Sequence, residues 1–219
     1  MKLEGSKIDF LGDSITEGCG TSGPDCRFSA LLQRNCKLAA ARNYGIGGTR
    51  YARQRVPSES PYTDMDFCGR AGQMDRDADV VFVFGGTNDF GHGDAPFGGP
   101  EDRTPDTFCG ACHYLFRELK VNFPQAEIVV ATPMHRCRED DPYGSGRKTE
   151  PCPPLREYAA SIRQTAQEYG LHVLDLFGER FLDPNDPEIQ QKYVPDGLHP
   201  NDEGHVLLAE RIARFLEAL

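Results

Sequence analysis

The sequence predicts an α/β fold built on one parallel β-sheet with helices on both faces. Short, largely apolar runs recur along the 219-residue chain, as expected for strands that are buried on both sides. Segments with apolar residues at helical spacing lie between these runs, and such alternation is typical of parallel sheets. The length suits one domain, residues 1–219, with a single core.

Five strands and at least three helices follow from these patterns. The predicted strands are Lys7–Leu11, Ala41–Tyr44, Val80–Phe84, Glu127–Ala131 and Leu171–Leu174. Helical spacing of apolar residues marks a segment from Phe28 to Cys36 and another from Leu155 to Ala166. The last helix is expected to begin after an N-cap at Asn201, with acidic residues in its first turn. Its predicted buried stripe is Leu208, Ile212, Phe215 and Leu219.

Three long polar stretches, rich in Gly and Pro, interrupt this alternation. They are Arg50–Asp79, Asp89–Pro105 and Pro133–Pro154. Each should follow the carboxyl end of a strand, which is where open α/β sheets place their active sites.

Composition narrows the class of protein. Hydrophobic residues make up 38% and charged residues 26%, which is typical of a globular domain. The net charge of −10 and the pI of about 5.1 disfavour binding to nucleic acid or to an anionic membrane surface. The first residues lack the apolar segment of a secretory signal, so we expect a cytoplasmic protein.

Eight cysteines are many for a cytoplasmic chain, and we expect them to be reduced thiols. Cys109 and Cys112 have the spacing of half a metal or redox site, but they lie beside the apolar stripe of a probable helix, where cysteine acts as a small hydrophobe. Cys137 and Cys152 flank a polar loop and could pair only in an oxidising compartment. No metal and no cofactor is expected.

Two short motifs carry the chemistry. Gly12–Thr16 (Gly-Asp-Ser-Ile-Thr) follows the first predicted strand and offers Ser14 at a strand-to-helix turn. Asp196–Pro200 (Asp-Gly-Leu-His-Pro) places Asp196 three residues before His199, close enough to orient the imidazole. A serine, a base and a group that orients the base are what nucleophilic acyl transfer requires.

Two further motifs supply hydrogen-bond donors. Asn43–Gly48 follows the second strand, and its glycines allow backbone N–H groups to turn toward a ligand. Gly85–Asp89 (Gly-Gly-Thr-Asn-Asp) follows the third strand and offers a side-chain amide. Donors of this kind stabilise the oxyanion of acyl transfer. Alone, Gly12-Asp13-Ser14 would more often be a helix cap, and Asn88 with Asp89 would usually be an Asx turn. Asp196 and His199 alone could be a surface pair. Together, the four motifs favour catalysis.

These four motifs, in this order, resemble those of the SGNH or GDSL hydrolase superfamily, over a stretch from Ile8 to the final helix. The resemblance implies a flavodoxin-like three-layer α/β/α sandwich with strand order 2-1-3-4-5. It implies that Ser14 is the nucleophile, His199 the general base and then acid, and Asp196 the residue that orients His199. The implied oxyanion hole consists of the Ser14 N–H, the Gly48 N–H and the Asn88 amide, with Gly47 as an alternative to Gly48.

The other histidines have weaker claims to function. His92 and His135 lie in loops after the third and fourth strands, so each is a candidate substrate contact, although a solvated loop histidine is the more common case. His113, His172 and His205 fall in helix or strand patterns and are interpreted as structural.

The sequence predicts the substrate only by its chemical class. The three polar stretches offer no apolar tunnel, which favours short acyl groups on small or carbohydrate esters. The chain lacks Trp, so sugar stacking would fall to Tyr44, Tyr51, Phe90, Phe97 or Tyr143. Lysophospholipase or thioesterase activity is the alternative within the superfamily. A flavodoxin-like flavin- or nucleotide-binding module is the alternative from another class, although acidic residues stand where that module would bind phosphate. The oligomeric state is left open.

Overall fold

Five parallel strands form one sheet in the order β2-β1-β3-β4-β5, so the implied strand order is confirmed. The computed structural model describes all residues, 1–219. The strands are β1 (Lys7–Gly12), β2 (Ala40–Gly45), β3 (Val80–Phe84), β4 (Glu127–Ala131) and β5 (His172–Leu174). Gly12 at the end of β1 is level with Gly45 of β2 and Phe84 of β3. The segments that follow these three strands therefore begin side by side at one edge of the sheet.

Eight helices connect and cover the strands. They are α1 (Ser14–Glu17), α2 (Phe28–Asn35), α3 (Phe67–Ala71), α4 (Thr87–Gly91), α5 (Phe108–Asn122), α6 (Leu155–Glu168), α7 (Pro187–Tyr193) and α8 (Asp202–Glu217), with single 3₁₀ turns at Pro24–Cys26 and Pro61–Asp64. None of these helices combines the length and the apolar character that a bilayer span needs.

Each face of the sheet has its own apolar core, because successive side chains of a strand point to opposite faces. Val80, Phe82 and Phe84 of β3 pack in the core that also contains α2 and α8. Val81 and Val83 pack in the core that contains α3, α5 and α6. All five side chains are at most 1% exposed. Two-sided burial explains why this strand is apolar throughout.

The start of α8 is as predicted, whereas its buried stripe is not. Oδ1 of Asn201 accepts the N–H of Gly204 at 3.0 Å, which caps the helix. Leu208, Ile212 and Leu216 form the buried face. Phe215 is only half-buried and Leu219 is 41% exposed, so the predicted stripe is wrong at these two positions. The helix ends at Glu217, and Leu219 lies beyond it.

The three polar stretches follow the carboxyl ends of β2, β3 and β4, as expected. All eight cysteines are unpaired in the structure. Cys109 and Cys112 lie on the buried face of α5. The thiol of Cys137 contacts the Pro184 carbonyl oxygen and that of Cys152 contacts the Phe90 carbonyl oxygen, so these two face different neighbours.

Candidate active site

Ser14 is the first residue of α1, directly after the turn that ends β1. Oδ1 of Asp13 accepts the N–H of Ile15 at 3.0 Å and caps this short helix. A side chain at Gly12 would place Cβ 2.0 Å from the Thr16 hydroxyl, so the tight turn requires glycine there. The N–H of Ser14 lies in the first helical turn, where no intrahelical acceptor exists. The turn therefore offers both a hydroxyl and an N–H at the edge of the sheet.

Asp196 and His199 lie on one turn that reaches Ser14 from the other end of the chain. Nε2 of His199 is 3.0 Å from Oγ of Ser14, and Nδ1 of His199 is 2.7 Å from Oδ2 of Asp196. The second carboxylate oxygen of Asp196 accepts the N–H groups of Leu198 at 2.9 Å and of His199 at 2.7 Å. One carboxylate thus holds both the ring and the backbone of the histidine.

The protonation state of Asp196 defines the histidine tautomer. Burial raises the pKa of Asp196, but the hydrogen bonds from the backbone and ring of His199 and from the Leu198 N–H outweigh it and hold that pKa below its ordinary value. The ionised carboxylate can only accept, so Nδ1 of neutral His199 carries the proton. Nε2 is then the acceptor for the Ser14 hydroxyl.

The glycine turn after β2 presents one free backbone donor. The N–H of Gly47 donates to a carboxylate oxygen of Glu17 at 2.7 Å, whereas the N–H of Gly48 makes no hydrogen bond within the protein. Gly48 has φ +76°, in the left-handed region that favours glycine. Of the two glycines predicted as alternatives, only Gly48 therefore has a backbone N–H without a protein partner.

Asn88 provides a side-chain donor from the start of α4. Its Nδ2 donates to the Thr49 carbonyl at 3.0 Å, and its Oδ1 lies 3.1 Å from Nε2 of His92. Asn88 is buried, and one of its two amide hydrogens has no protein acceptor. Both the amide orientation and one free N–H are thus defined before any substrate binds.

Buried charged residues that the motifs did not predict hold these segments together. Arg70, 5% exposed, donates to the carbonyl oxygens of Gly12, Tyr44 and Met65, and also to the Thr49 hydroxyl. It therefore ties the ends of β1 and β2 to the loop that follows β2. A lone arginine in a polar stretch gives no sequence signal for such a role, because its partners are far away in the chain.

Asp89, next to Asn88, has a similar role. Its two carboxylate oxygens accept the N–H groups of Tyr51 and Ala52 at 3.0 and 2.9 Å. Burial raises the pKa of Asp89 to about 6 in spite of these bonds. This carboxylate ties α4 to the loop that carries Gly48.

The two candidate substrate-contact histidines both have protein partners at each ring nitrogen. His135 meets the Glu139 carboxylate at Nδ1 and the Phe177 carbonyl at Nε2, each at 2.9 Å. His92 meets Arg50 at Nδ1 and Asn88 at Nε2. Neither ring has a free nitrogen for substrate. His113 and His205 are buried, as their structural interpretation requires, and His172 pairs with Glu127.

The aromatic candidates for sugar stacking also need correction. Tyr51 and Phe90 are fully buried, so they cannot stack on a sugar. Tyr62, which the sequence did not single out, is 55% exposed on the 3₁₀ turn beside the glycine loop. Its neighbour Thr63 lies 3.4 Å from the position that a Cβ on Gly48 would take.

Comparison with known proteins covers nearly the whole chain. The sequence profile of the GDSL-like Lipase/Acylhydrolase family matches residues 10–207. A GDSL lipase of Mycobacterium tuberculosis is 28% identical over 214 residues, which are 95% of this chain and 80% of that protein. An isoamyl acetate-hydrolyzing esterase 1 homolog of Bos taurus is 25% identical over 227 residues, covering 96% of this chain and 81% of that protein.

Solved structures with a similar fold also match nearly the whole chain. A protein from Lactobacillus plantarum superposes with a TM-score of 0.81 at 27% identity, covering 99% of this chain and 98% of that one. The lipase/acylhydrolase from Enterococcus faecalis superposes with a TM-score of 0.66 at 20% identity, covering 97% of this chain and 96% of that one. The family match and the two sequence relatives support a hydrolase over the alternative of a flavin- or nucleotide-binding module.

Proposed function

The chain belongs to the GDSL-like lipase/acylhydrolase family of ester hydrolases, and on this premise we propose that it removes short acyl groups from small or carbohydrate esters, with Ser14 as the nucleophile. The observation that carries the proposal is the contact of Ser14 with His199 and of His199 with Asp196, at 3.0 and 2.7 Å. Both distances are within hydrogen-bond reach, as a nucleophile, its base and the orienting group require.

The proposed reaction has two halves. Oγ of Ser14 attacks the ester carbonyl carbon while its proton passes to Nε2 of His199, and the resulting imidazolium is stabilised by Asp196. His199 then gives this proton to the leaving alcohol as the bond to the acyl carbon breaks. In the second half, water attacks the acyl-enzyme and loses a proton to His199. The carboxylic acid is released as the proton returns to Oγ of Ser14.

Three N–H groups are proposed to stabilise the oxyanion. They are the backbone N–H of Ser14, the backbone N–H of Gly48 and the free hydrogen of the Asn88 amide. Each is left without an acceptor in the protein, while the neighbouring Gly47 N–H is occupied by Glu17. Donors that are held in place before the charge develops are the most effective kind.

Short acyl groups are favoured by the surroundings of this site. Thr63 lies beside Gly48, 3.4 Å from the position that a Cβ on this glycine would take, and the segments around it are polar. The bovine relative is named for hydrolysis of an acetate ester. The exposed ring of Tyr62 offers a surface on which a sugar alcohol could stack.

The test is hydrolysis of p-nitrophenyl acetate, butyrate, octanoate and palmitate by wild type and by Ser14→Ala. We expect kcat/KM to be highest for acetate or butyrate and to vanish in Ser14→Ala, since nothing else in the site can form the acyl-enzyme. Ser161→Ala is the matched control, because this serine lies on α6 and its hydroxyl hydrogen-bonds with Cys109 rather than with a residue of the site. Near-wild-type turnover by Ser14→Ala would refute the serine mechanism, and a maximum at octanoate or palmitate would refute the short-acyl preference.

A further inference from the structure

We propose that Arg50 and His92 are positioning residues that hold the Gly48 and Asn88 donors in place for the oxyanion. This inference rests on the proposed function. Neither residue needs to touch substrate in this role. Arg50 is 4% exposed, and His92 has protein partners at both ring nitrogens.

The guanidinium of Arg50 joins the glycine turn to α4. Its Nη1 donates to the Gly48 carbonyl at 3.1 Å and lies 3.3 Å from Nδ1 of His92. Its Nη2 donates to the Thr63 carbonyl at 3.0 Å and to the Asp64 carboxylate at 3.3 Å. One planar group thus restrains the backbone of Gly48, the ring of His92 and the turn that contains Thr63 and Asp64.

Arg50 also defines the tautomer of His92. A guanidinium in a protein is always protonated and can only donate, so Nδ1 of His92 must accept. The ring proton of neutral His92 is then at Nε2, which faces Oδ1 of Asn88 at 3.1 Å. Burial lowers the pKa of His92 to about 4, and the charge of Arg50 acts in the same direction, so the ring stays neutral at physiological pH.

The proton at Nε2 in turn defines the orientation of the Asn88 amide. Because His92 donates to Oδ1, this oxygen is kept on the His92 side and the NH₂ group on the side of the Thr49 carbonyl. One amide hydrogen is used by Thr49 and the other is left for substrate. A flipped amide would place an oxygen where the oxyanion forms, so the series of contacts from Arg50 through His92 protects the donor.

The first experiment is a double-mutant cycle with p-nitrophenyl acetate as substrate. The single variants are His92→Phe and Asn88→Ala, and the double variant combines them. We expect His92→Phe to lower kcat by about ten-fold to about a hundred-fold, less than the roughly 10²–10³ expected from loss of the donor itself. KM should change little, because the oxyanion exists only in the transition state. In the Asn88→Ala background, His92→Phe should have almost no further effect.

Two conservative variants separate geometry from charge. His92→Gln keeps a side-chain amide that can donate to Asn88 and accept from Arg50, so it should recover most of the activity that His92→Phe loses. Arg50→Lys keeps the charge but loses the two-pronged donor, so it should lower kcat. His172→Phe is the control, because His172 lies at the start of β5 and pairs with Glu127, away from the site.

A measurement on the wild type keeps the test independent of whether His92→Phe folds. The ¹⁵N shifts of the His92 ring should show a protonated Nε2 and an unprotonated Nδ1 over the pH range in which the enzyme works. A proton at Nδ1, wild-type kcat in His92→Phe, or additive effects in the cycle would each overturn the positioning role. These outcomes differ from failure of the proposed function, in which Ser14→Ala stays active or Asn88→Ala has no effect.

Discussion

Replacement of Asp196 by Asn tests how one side chain serves two partners. In the wild type, Oδ1 accepts the N–H groups of Leu198 and His199, while Oδ2 faces Nδ1 of His199 at 2.7 Å. An asparagine has only one oxygen, so it can serve the backbone or the ring, but not both. The variant must therefore choose between two defective arrangements.

The expected decrease in kcat follows from the defect in each of these two arrangements. If the oxygen stays with the backbone, the new NH₂ group faces Nδ1 and moves the ring proton to Nε2, a wrong tautomer that costs about 10⁴ in kcat. If the amide flips, two exposed N–H groups lose their protein acceptor at about 0.5–1.5 kcal/mol each, or about 1–3 kcal/mol in total. At about 1.4 kcal/mol per factor of ten, this makes the active arrangement about 5-fold to 150-fold rarer. We expect the loss of kcat to lie within that range.

The assay compares kcat and KM for p-nitrophenyl acetate, with thermal unfolding to check that the fold is intact. Asp186→Asn is the matched control, because Asp186 also accepts backbone N–H groups, from Glu188 at 2.9 Å and Ile189 at 3.5 Å, but holds no histidine. Its kcat should equal that of the wild type. A folded Asp196→Asn variant within about threefold of wild-type kcat would refute the reasoning.

Three further predictions concern stability and thiols. Arg70→Met should lower the free energy of unfolding in urea by on the order of 3 kcal/mol, because buried carbonyl groups lose their donor. Asp13→Asn should flatten the pH dependence of the unfolding free energy. Burial raises the pKa of Asp13 from 3.8 to about 7, so the stability that its protonated form contributes is complete below about pH 4 and is lost as the pH rises from there through about 7. Thiol titration after denaturation without reductant should find all eight cysteines free.

Each of these predictions has a control or an outcome that contradicts it. Arg214→Met removes an exposed arginine that pairs only with its own helix, so it should change the free energy of unfolding by no more than about 0.5 kcal/mol. If Arg70→Met has an equally small effect, Arg70 does not hold the strand ends and the loop together. If the unfolding free energy of Asp13→Asn has the same pH dependence as that of the wild type, other groups cause this dependence and the prediction is wrong. Six titratable thiols, with Cys137 and Cys152 linked, would contradict the last prediction.

The sequence predicted those parts of the molecule that depend on local pattern. β3 and β4 are buried on both faces, so their apolar runs identify them without knowledge of their neighbours. Ser14, Gly48 and Asn88 stand in short motifs after strands, and the level strand ends bring these three motifs together. Asp196 and His199 stand in a motif between α7 and α8. The catalytic roles of Ser14, Asp196 and His199 themselves stay predictions until the variants are measured.

Features that depend on distant partners could not be predicted in the same way. Arg50 and Arg70 are polar residues in a polar stretch, and only the fold shows that they are buried among carbonyl groups. Tyr51 is fully buried because its ring packs against Phe67, Phe108 and Phe116, which come from other segments of the chain. Exposure of an isolated aromatic residue in a loop is a property of its neighbours in space.

Ser14 and His199 are separated by 185 residues, and this separation has a consequence for biosynthesis. The growing chain exposes its serine early, whereas the turn with Asp196 and His199 leaves the ribosome only after all five strands have been made. On the mechanism proposed above, Ser14 has no base until then. We therefore expect the nascent protein not to attack esters, and reactivity toward fluorophosphonates should report completion of the fold.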